Sequence, residues 1–339
     1  MQDQHRDLVV VTGIGGFLGG HIAARLLLAG YDVRGTLRSL KRAKTVEADI
    51  RASASETGTL SFVEADLLSD DGWPDVMEGA RYVIHAASPF PSALPKDEND
   101  LIRPAREGTL RVLNAARQAG VQRVVVTSSI AAINYGNGKP PFTEEDWTEI
   151  DGPLTVPYYR SKTLAEKAAW DFARREGLEL AVINPGMILG PVLGRQTGTS
   201  TGMIRSLLKG KYPAIPDFRV SIVDVRDAAD AHVMAMTVPE AAGERFIAAA
   251  DMMTMAEIAA TLRQSFPEQA RKVPRLVLRT WLVRLFAPFD PGLKLIVKEL
   301  GRDQRVSHEK ARRVLGWTPR PSQEAVRATA QSLLAARLV

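Results

Sequence analysis

Through the first half of the chain, short aliphatic runs alternate with longer segments of helical period. Leu8–Val11 is an unbroken aliphatic run that stops at Thr12-Gly13. Phe17–Ala29 follows with helical spacing and is closed by Gly30, the residue a helix C-terminus favours. Asp32–Leu37, Leu60–Glu64, Tyr82–His85 and Val121–Thr127 predict further strands, and Thr109–Gln118 predicts a helix before the last of them. Leu178–Ile183 and Arg245–Ala248 predict two more. Apolar strands separated by crossover helices belong in a parallel sheet covered on both faces, and such crossovers are right-handed almost without exception. The pattern predicts an α/β chain: a Rossmann-type doubly wound parallel sheet that binds ligands beyond the carboxyl ends of its strands.

The rhythm changes after Pro185. Residues 186–216 are rich in Gly and Pro, and Met252–Ala270, Arg275–Phe286, Ser307–Leu315 and Gln323–Leu338 predict helices. The expected organisation interleaves a main domain, 1–185 plus 219–249, with a smaller, mainly helical substrate lobe, 186–218 plus 250–339. Arg275–Phe286 carries Leu, Val, Trp and Phe interrupted by Arg279 and Arg284. That pattern predicts a lobe helix packed on the core rather than a membrane-attaching segment. No run approaches the roughly 20 apolar residues of a membrane span, and the polar Met1–Asp7 lacks the apolar core of a signal peptide.

Composition narrows the chemistry. The 339 residues include 45% hydrophobic and 24% charged positions, ample for a core. The absence of cysteine excludes disulfides, thiolate metal sites and cysteine nucleophiles, and fits a cytoplasmic protein. Five histidines without paired spacing predict no metal site. The net charge of +5 raises the question of nucleic acid or membrane partners. The positive charge is scattered rather than run together, so neither is expected, and a basic surface also suits a polyphosphate cofactor. The expected partner is a small molecule, bound by a monomer or homodimer.

The first candidate site is the turn Thr12-Gly13-Ile14-Gly15-Gly16-Phe17-Leu18-Gly19, between the first strand and first helix. Gly13 permits the tight turn, Gly16 lets the backbone approach a pyrophosphate, and Gly19 lets the helix pack close to the sheet. Phe17 and Leu18 open the helix, whose N-terminal amides and positive partial charge face the phosphates. The end of the second strand distinguishes the dinucleotides. An NAD site usually carries an acid about 20 residues beyond the glycines, to hold the ribose 2′-hydroxyl. Here Arg38 stands instead, followed by Lys41, Arg42 and Lys44. A guanidinium suits a 2′-phosphate, so NADP(H) is the predicted cofactor. Asp66-Leu67 follows the third strand, where Asp66 either accepts from adenine or caps a helix. Ala86-Ala87-Ser88 follows the fourth, where small residues admit the nicotinamide half.

The second site is Tyr158-Tyr159-Arg160-Ser161-Lys162, opening a helix that continues through Thr163–Arg175. Tyr158 and Lys162 are four apart and share a helical face. An ammonium there favours the phenolate and lowers the tyrosine pKa toward the working pH, and it can also hold the nicotinamide ribose. Tyr159 has Thr163 in the corresponding place and gains no charge. Thr127-Ser128-Ser129 ends the fifth strand, where a hydroxyl can orient the substrate oxygen; spacing leaves Ser128 and Ser129 equivalent.

Taken together, these motifs resemble the extended short-chain dehydrogenases/reductases, in the group of dihydroflavonol reductases, cinnamoyl-CoA reductases and microbial aldehyde or ketone reductases. The resemblance is strongest in Tyr158–Trp170. Val33–Arg38, Val124–Ser129, Asn184-Pro185-Gly186 with Gly190-Pro191, Val223–Ala228, Lys310-Ala311 and Leu315-Gly316-Trp317 add to it. It implies Ser129 as the catalytic serine, Tyr158 as acid/base and Lys162 as its partner. It further implies Arg38 and Lys44 at the 2′-phosphate, Asp66-Leu67 at adenine, Thr127 beside the cofactor, and Pro185, Gly186 and Ile188 along the nicotinamide. The activity implied is NADPH-dependent reduction of an aldehyde or ketone, with pocket walls from Ser88–Leu94, Ile133–Asn137 and Gly186–Pro216. Two departures stand out. Val156-Pro157-Tyr158-Tyr159 replaces the longer signature of cinnamoyl-CoA reductases and disfavours a CoA thioester, and Arg111 replaces an asparagine after Gly108-Thr109. The competing readings are an NAD-retaining sugar-nucleotide epimerase, against which Arg38 argues, and a non-enzymatic NADP(H)-binding module, against which Tyr158 and Lys162 argue.

Overall fold

The computed structural model describes residues 6–54, 58–88, 97–195, 197–287 and 297–339. Strands β1 (Leu8–Thr12), β2 (Asp32–Leu37), β3 (Leu60–Glu64), β4 (Tyr82–His85), β5 (Arg123–Thr127) and β6 (Glu179–Pro185) enter one sheet. After three lobe strands, β7 (Met187–Leu189), β8 (Ile215–Pro216) and β9 (Arg219–Asp224), β10 (Arg245–Ala248) returns to it. The order is β10-β6-β5-β4-β1-β2-β3 and every pairing is parallel. The predicted doubly wound sheet is therefore present, and its order reverses between β1 and β4. That switch point opens a crevice for a ligand at the carboxyl ends.

Successive strand residues serve opposite cores. Val9, Val11, Ile84 and Val125 face helices α1 (Phe17–Leu28), α2 (Ala43–Arg51) and α7 (Val225–Thr237). Val10, Val83, Val124 and Val126 face α3 (Trp73–Met77), α4 (Asn99–Gln118) and α5 (Pro157–Glu176). With both faces covered, the strands carry no polar alternation, which explains their continuous aliphatic runs. Helix α4 begins ten residues before the expected Thr109. Pro104 and Gly108 look like breakers in sequence, but Pro104 lies near the helix start and buried Leu101 and Ala105 anchor that end.

The lobe holds more strand than its periodicity predicts. Met252–Thr254, read as the start of a helix, is β11, antiparallel to β9 in a small sheet ordered β11-β9-β7. Helix α8 (Met255–Ser265) starts only after Thr254, which accepts the Glu257 amide at 3.1 Å while the Glu257 carboxylate accepts the Thr254 amide at 2.7 Å. Val223 joins the main core and its neighbour Ile222 the lobe core, so the strand that follows the expected boundary at 218/219 serves both. Segment 307–315 is helical over 309–315, its last part, Ala311–Leu315, a wide turn ended by Gly316 at φ +69°. Segment 275–286 divides into β12 (Val277–Leu278) and the short α9 (Thr280–Phe286). Val283 is buried but Trp281 and Leu285 are exposed, so the expected core-packed helix is only partly realised. The final helix is α10 (Ser322–Ala335). Among the described residues no helix is long and apolar enough to cross a membrane.

Candidate active site

The glycine turn stands at the switch point. Gly13 has φ +70°, and a β-carbon there would lie 2.8 Å from Ala87 Cα, so the turn and the exit of β4 touch only because both residues are small. The Gly16 amide donates to the Gly13 carbonyl at 2.9 Å, and a side chain on Gly19 would collide with that carbonyl. Helix α1 has no side-chain cap and no acid in its first turn. Its N-terminal amides and positive partial charge are thus left for an anion. Beyond β2, Arg38, Arg42 and Lys44 are exposed, and none pairs with a carboxylate among the described residues. Arg42 was not singled out from sequence. Its guanidinium lies 3.9 Å from the β-carbon position of Gly15, nearer the turn than its place in a basic loop suggests.

Asp66 caps no helix; its carboxylate accepts the Leu68 amide at 2.9 Å within a turn. Arg111, the departure from the family pattern, donates to the Leu67 carbonyl and pairs with Asp70, tying α4 to this loop. At the other end of the crevice a directional chain fixes the strand exits. The Ala87 amide donates to Thr12 Oγ1 at 3.1 Å, and Thr12 meets His85 Nδ1 at 2.7 Å. His85 Nε2 meets Thr109 Oγ1 at 3.3 Å, and the Thr109 hydroxyl donates to the Ala105 carbonyl. With that hydroxyl proton committed, His85 donates from Nε2 and accepts the Thr12 hydroxyl at Nδ1, so it is neutral. Burial, reinforced by Lys162, holds its pKa down at about 3. Sequence reading missed His85 because a histidine inside an aliphatic strand carries no spacing signal. Pro185 ends β6, and Gly186 crosses so close to Ser221 that a β-carbon would lie 2.5 Å from its carbonyl oxygen. Ile188 then packs on the main core, so Pro185–Ile188 carries the chain from sheet to lobe.

The two adjacent hydroxyl pairs separate. Ser128 is buried and donates to Glu166, whose carboxylate also accepts from Asn184 at 2.8 Å and pairs with Arg245 at 2.8 Å. Ser129 instead hydrogen-bonds Tyr158. Tyr159 stacks on Tyr135 at 3.8 Å, and both phenols donate to the buried carboxylate of Glu299, at 2.7 and 3.0 Å. The Thr127 hydroxyl donates to His232 Nε2 at 2.8 Å, because His232 Nδ1 donates to the Ala228 carbonyl.

Lys162 lies one turn beyond Tyr158 and is buried, its ammonium donating to Ser88 Oγ at 3.0 Å. Burial pulls its pKa down to about 8 against the opposing pull of Glu166. Burial also pushes the Tyr158 phenol up to about 12, opposed by the Ser129 hydrogen bond. The expected lowering of Tyr158 by Lys162 is absent here: desolvation is the larger effect, and Ser88 takes the ammonium. Of the expected pocket walls, Ile133–Asn137 lies beside the Tyr135–Tyr159 stack, whereas residues 89–94 lie outside the described residues.

The profile of the NAD dependent epimerase/dehydratase family matches residues 9–249. The chain belongs to this family, the extended short-chain dehydrogenases/reductases. Among its relatives this extended reductase-like chain is 35% identical over 269 residues to cinnamoyl-CoA reductase CAD2 of Medicago truncatula, covering 77% of this chain and 81% of that protein. It is 33% identical over 271 residues to dihydroflavonol 4-reductase of Zea mays, covering 78% and 75%. Among solved structures, yeast methylglyoxal/isovaleraldehyde reductase Gre2 complexed with NADPH superposes with a TM-score of 0.80 at 27% identity, covering 97% of this chain and 99% of that one. The family membership bears out the resemblance drawn from Tyr158–Trp170 and the glycine turn.

Proposed function

We propose that this protein is an NADPH-dependent reductase of an aldehyde or ketone. The observation that carries the reading is the Ser129–Tyr158 hydrogen bond, with Lys162 one helical turn away and the glycine turn across the same crevice. Relatives that reduce carbonyl compounds and a structural neighbour holding NADPH support it. The residues present fit the cofactor. The cradle at Gly13 and Gly16 admits a pyrophosphate where a β-carbon would not, and Arg38, Arg42 and Lys44 offer unpaired cations for a 2′-phosphate. Lys162 and Ser88 would hold the ribose. When bound, the reduced nicotinamide supplies the hydride.

The protein's own groups manage the oxygen. Ser129 donates a hydrogen bond to the substrate carbonyl and orients it toward Tyr158. The Tyr158 phenol, protonated at neutral pH, gives its proton to the forming alkoxide. Lys162 then faces the phenolate with an ammonium close to its own titration point, reprotonates it, and takes a proton back from solvent. The test is a spectrophotometric panel of aldehydes and ketones with NADPH and NADH side by side. NADPH is expected to be the better cofactor, and Arg38→Ala combined with Arg42→Ala should erode its advantage by about ten- to a hundredfold. Failure of every carbonyl to oxidise NADPH would sink the reading, and NAD copurifying with the protein would favour the epimerase alternative.

A further inference from the structure

Four large apolar side chains of the lobe face solvent within ten residues: Leu276 at 64%, Val277 at 40%, Trp281 at 60% and Leu285 at 57% exposure. Trp281 and Leu285 are four apart on α9 and share one face, opposite buried Val283. β12 pairs with β8, placing Val277 beside Ile215, and Lys272 Cβ approaches Gly210 to within 2.7 Å of where a β-carbon would stand. Residues 209–217 are thereby brought alongside 271–285, adding exposed Tyr212.

The charge of these two segments is lopsided. Together they carry seven Lys and Arg, among them Lys211, Lys272, Arg275, Arg279 and Arg284, and a single acid, Asp217. All seven cations are exposed, and none pairs with a carboxylate among the described residues. The rest of the chain then holds 37 basic and 38 acidic residues, so this one surface accounts for the whole net positive charge. The charge that reads as scattered along the sequence is gathered in space. Single exposed leucines are ordinary. An exposed indole and aliphatic side chains on segments that also carry these cations are a more specific combination. A second copy seated on this face across a two-fold axis would oppose the same cations, and nucleic acid would leave Leu276, Val277 and Leu285 without a stacking partner.

We propose that this face docks reversibly on an anionic lipid surface. Trp281, Leu276 and Leu285 enter the boundary between headgroups and acyl chains, and the arginines and lysines meet lipid phosphates. The proposal is independent of the reaction assigned above. Vesicle flotation of the full chain tests it, with phosphatidylcholine–phosphatidylglycerol vesicles against pure phosphatidylcholine. Flotation with the anionic vesicles at low salt is expected, falling at least about tenfold with neutral vesicles or in about 0.5 M salt. Trp281→Ser with Leu285→Ser, and separately Arg279→Glu with Arg284→Glu, should each abolish flotation while thermal unfolding stays unchanged. Absence of flotation at low salt overturns the proposal, as does flotation indifferent to both variant pairs. A concentration-dependent dimer lost with Trp281→Ser and Leu285→Ser would assign the face to a second copy. Tight binding of a labelled oligonucleotide that survives that pair would assign it to nucleic acid. Either result overturns the lipid reading.

Discussion

The reaction centre and the two buried carboxylate clusters beside it are built from the same side chains, one position apart. Ser129 and Tyr158 hydrogen-bond each other in the crevice, whereas Ser128 binds Glu166 and Tyr159 binds Glu299. The clusters contain a fixed negative charge that must be surrounded by donors, because a buried carboxylate left short of partners is costly. In the proposed reaction Ser129 and Tyr158 act on the substrate oxygen, whereas the neighbouring hydroxyls of Ser128 and Tyr159 are committed to Glu166 and Glu299.

Substitutions by residue pairs test that distinction most directly. Tyr158→Phe should lower kcat by about 10² to 10⁴-fold, the range for loss of a positioned acid, with stability little changed. Tyr159→Phe should leave kcat within about threefold and lower stability by about 1–3 kcal/mol, since Glu299 loses a donor. NADPH oxidation and urea unfolding on the same preparations separate the two. Equal loss of activity in both variants would erase the contrast.

The serine pair should repeat the pattern on a smaller scale. Ser129→Ala removes a donor to the developing alkoxide, and a kcat loss of about a hundredfold is expected. Ser128→Ala leaves Glu166 with Asn184 and Arg245, and about 1–3 kcal/mol of stability should go instead. If Ser128→Ala were the more damaging to kcat at undiminished stability, the assignment of the catalytic serine would be reversed.

Much of this was legible in the chain. The central strands β1, β4, β5 and β6 follow from apolar runs, because a doubly covered strand has no polar face to confuse the pattern. The glycine turn and the Tyr158–Lys162 spacing are local and are seen as such. The rest depends on distant residues. Nothing near Ser128 in sequence announces Glu166, and Glu299 lies 140 residues from Tyr159. Arg42 is hidden in a basic loop until the loop folds against Gly15. Apart from β9, the lobe strands are two or three residues long, too short for any period to register.

The same contrast should appear in stability against pH, as a smaller effect. Lys162 releases its proton near pH 8 in the fold but near 10.5 when unfolded, so between those values the unfolded chain binds more protons and rising pH favours the fold. Tyr158 works in the other direction above pH 10. The folded phenol keeps its proton to about 12 while the unfolded one gives it up, so stability falls there, and the raised pKa values of Tyr135 and Tyr159 steepen that fall. The reaction centre therefore predicts a rise of at most about 3 kcal/mol from pH 8 toward pH 10, and then a decline. On the acid side the frame dominates. His85 and His232 are held neutral to about 3 and about 4, so below pH 6.5 the unfolded chain takes up protons that the folded chain refuses, and stability drops. Urea midpoints measured from pH 4 to 11 should show both limbs. Lys162→Met should flatten the rise between pH 8 and 10 and leave the acid limb in place, because His85 and His232 are held neutral chiefly by burial. A rise that persists in Lys162→Met would mean that the ammonium is not the group titrating there. In that case its burial against Ser88 could not account for the pH profile of the site.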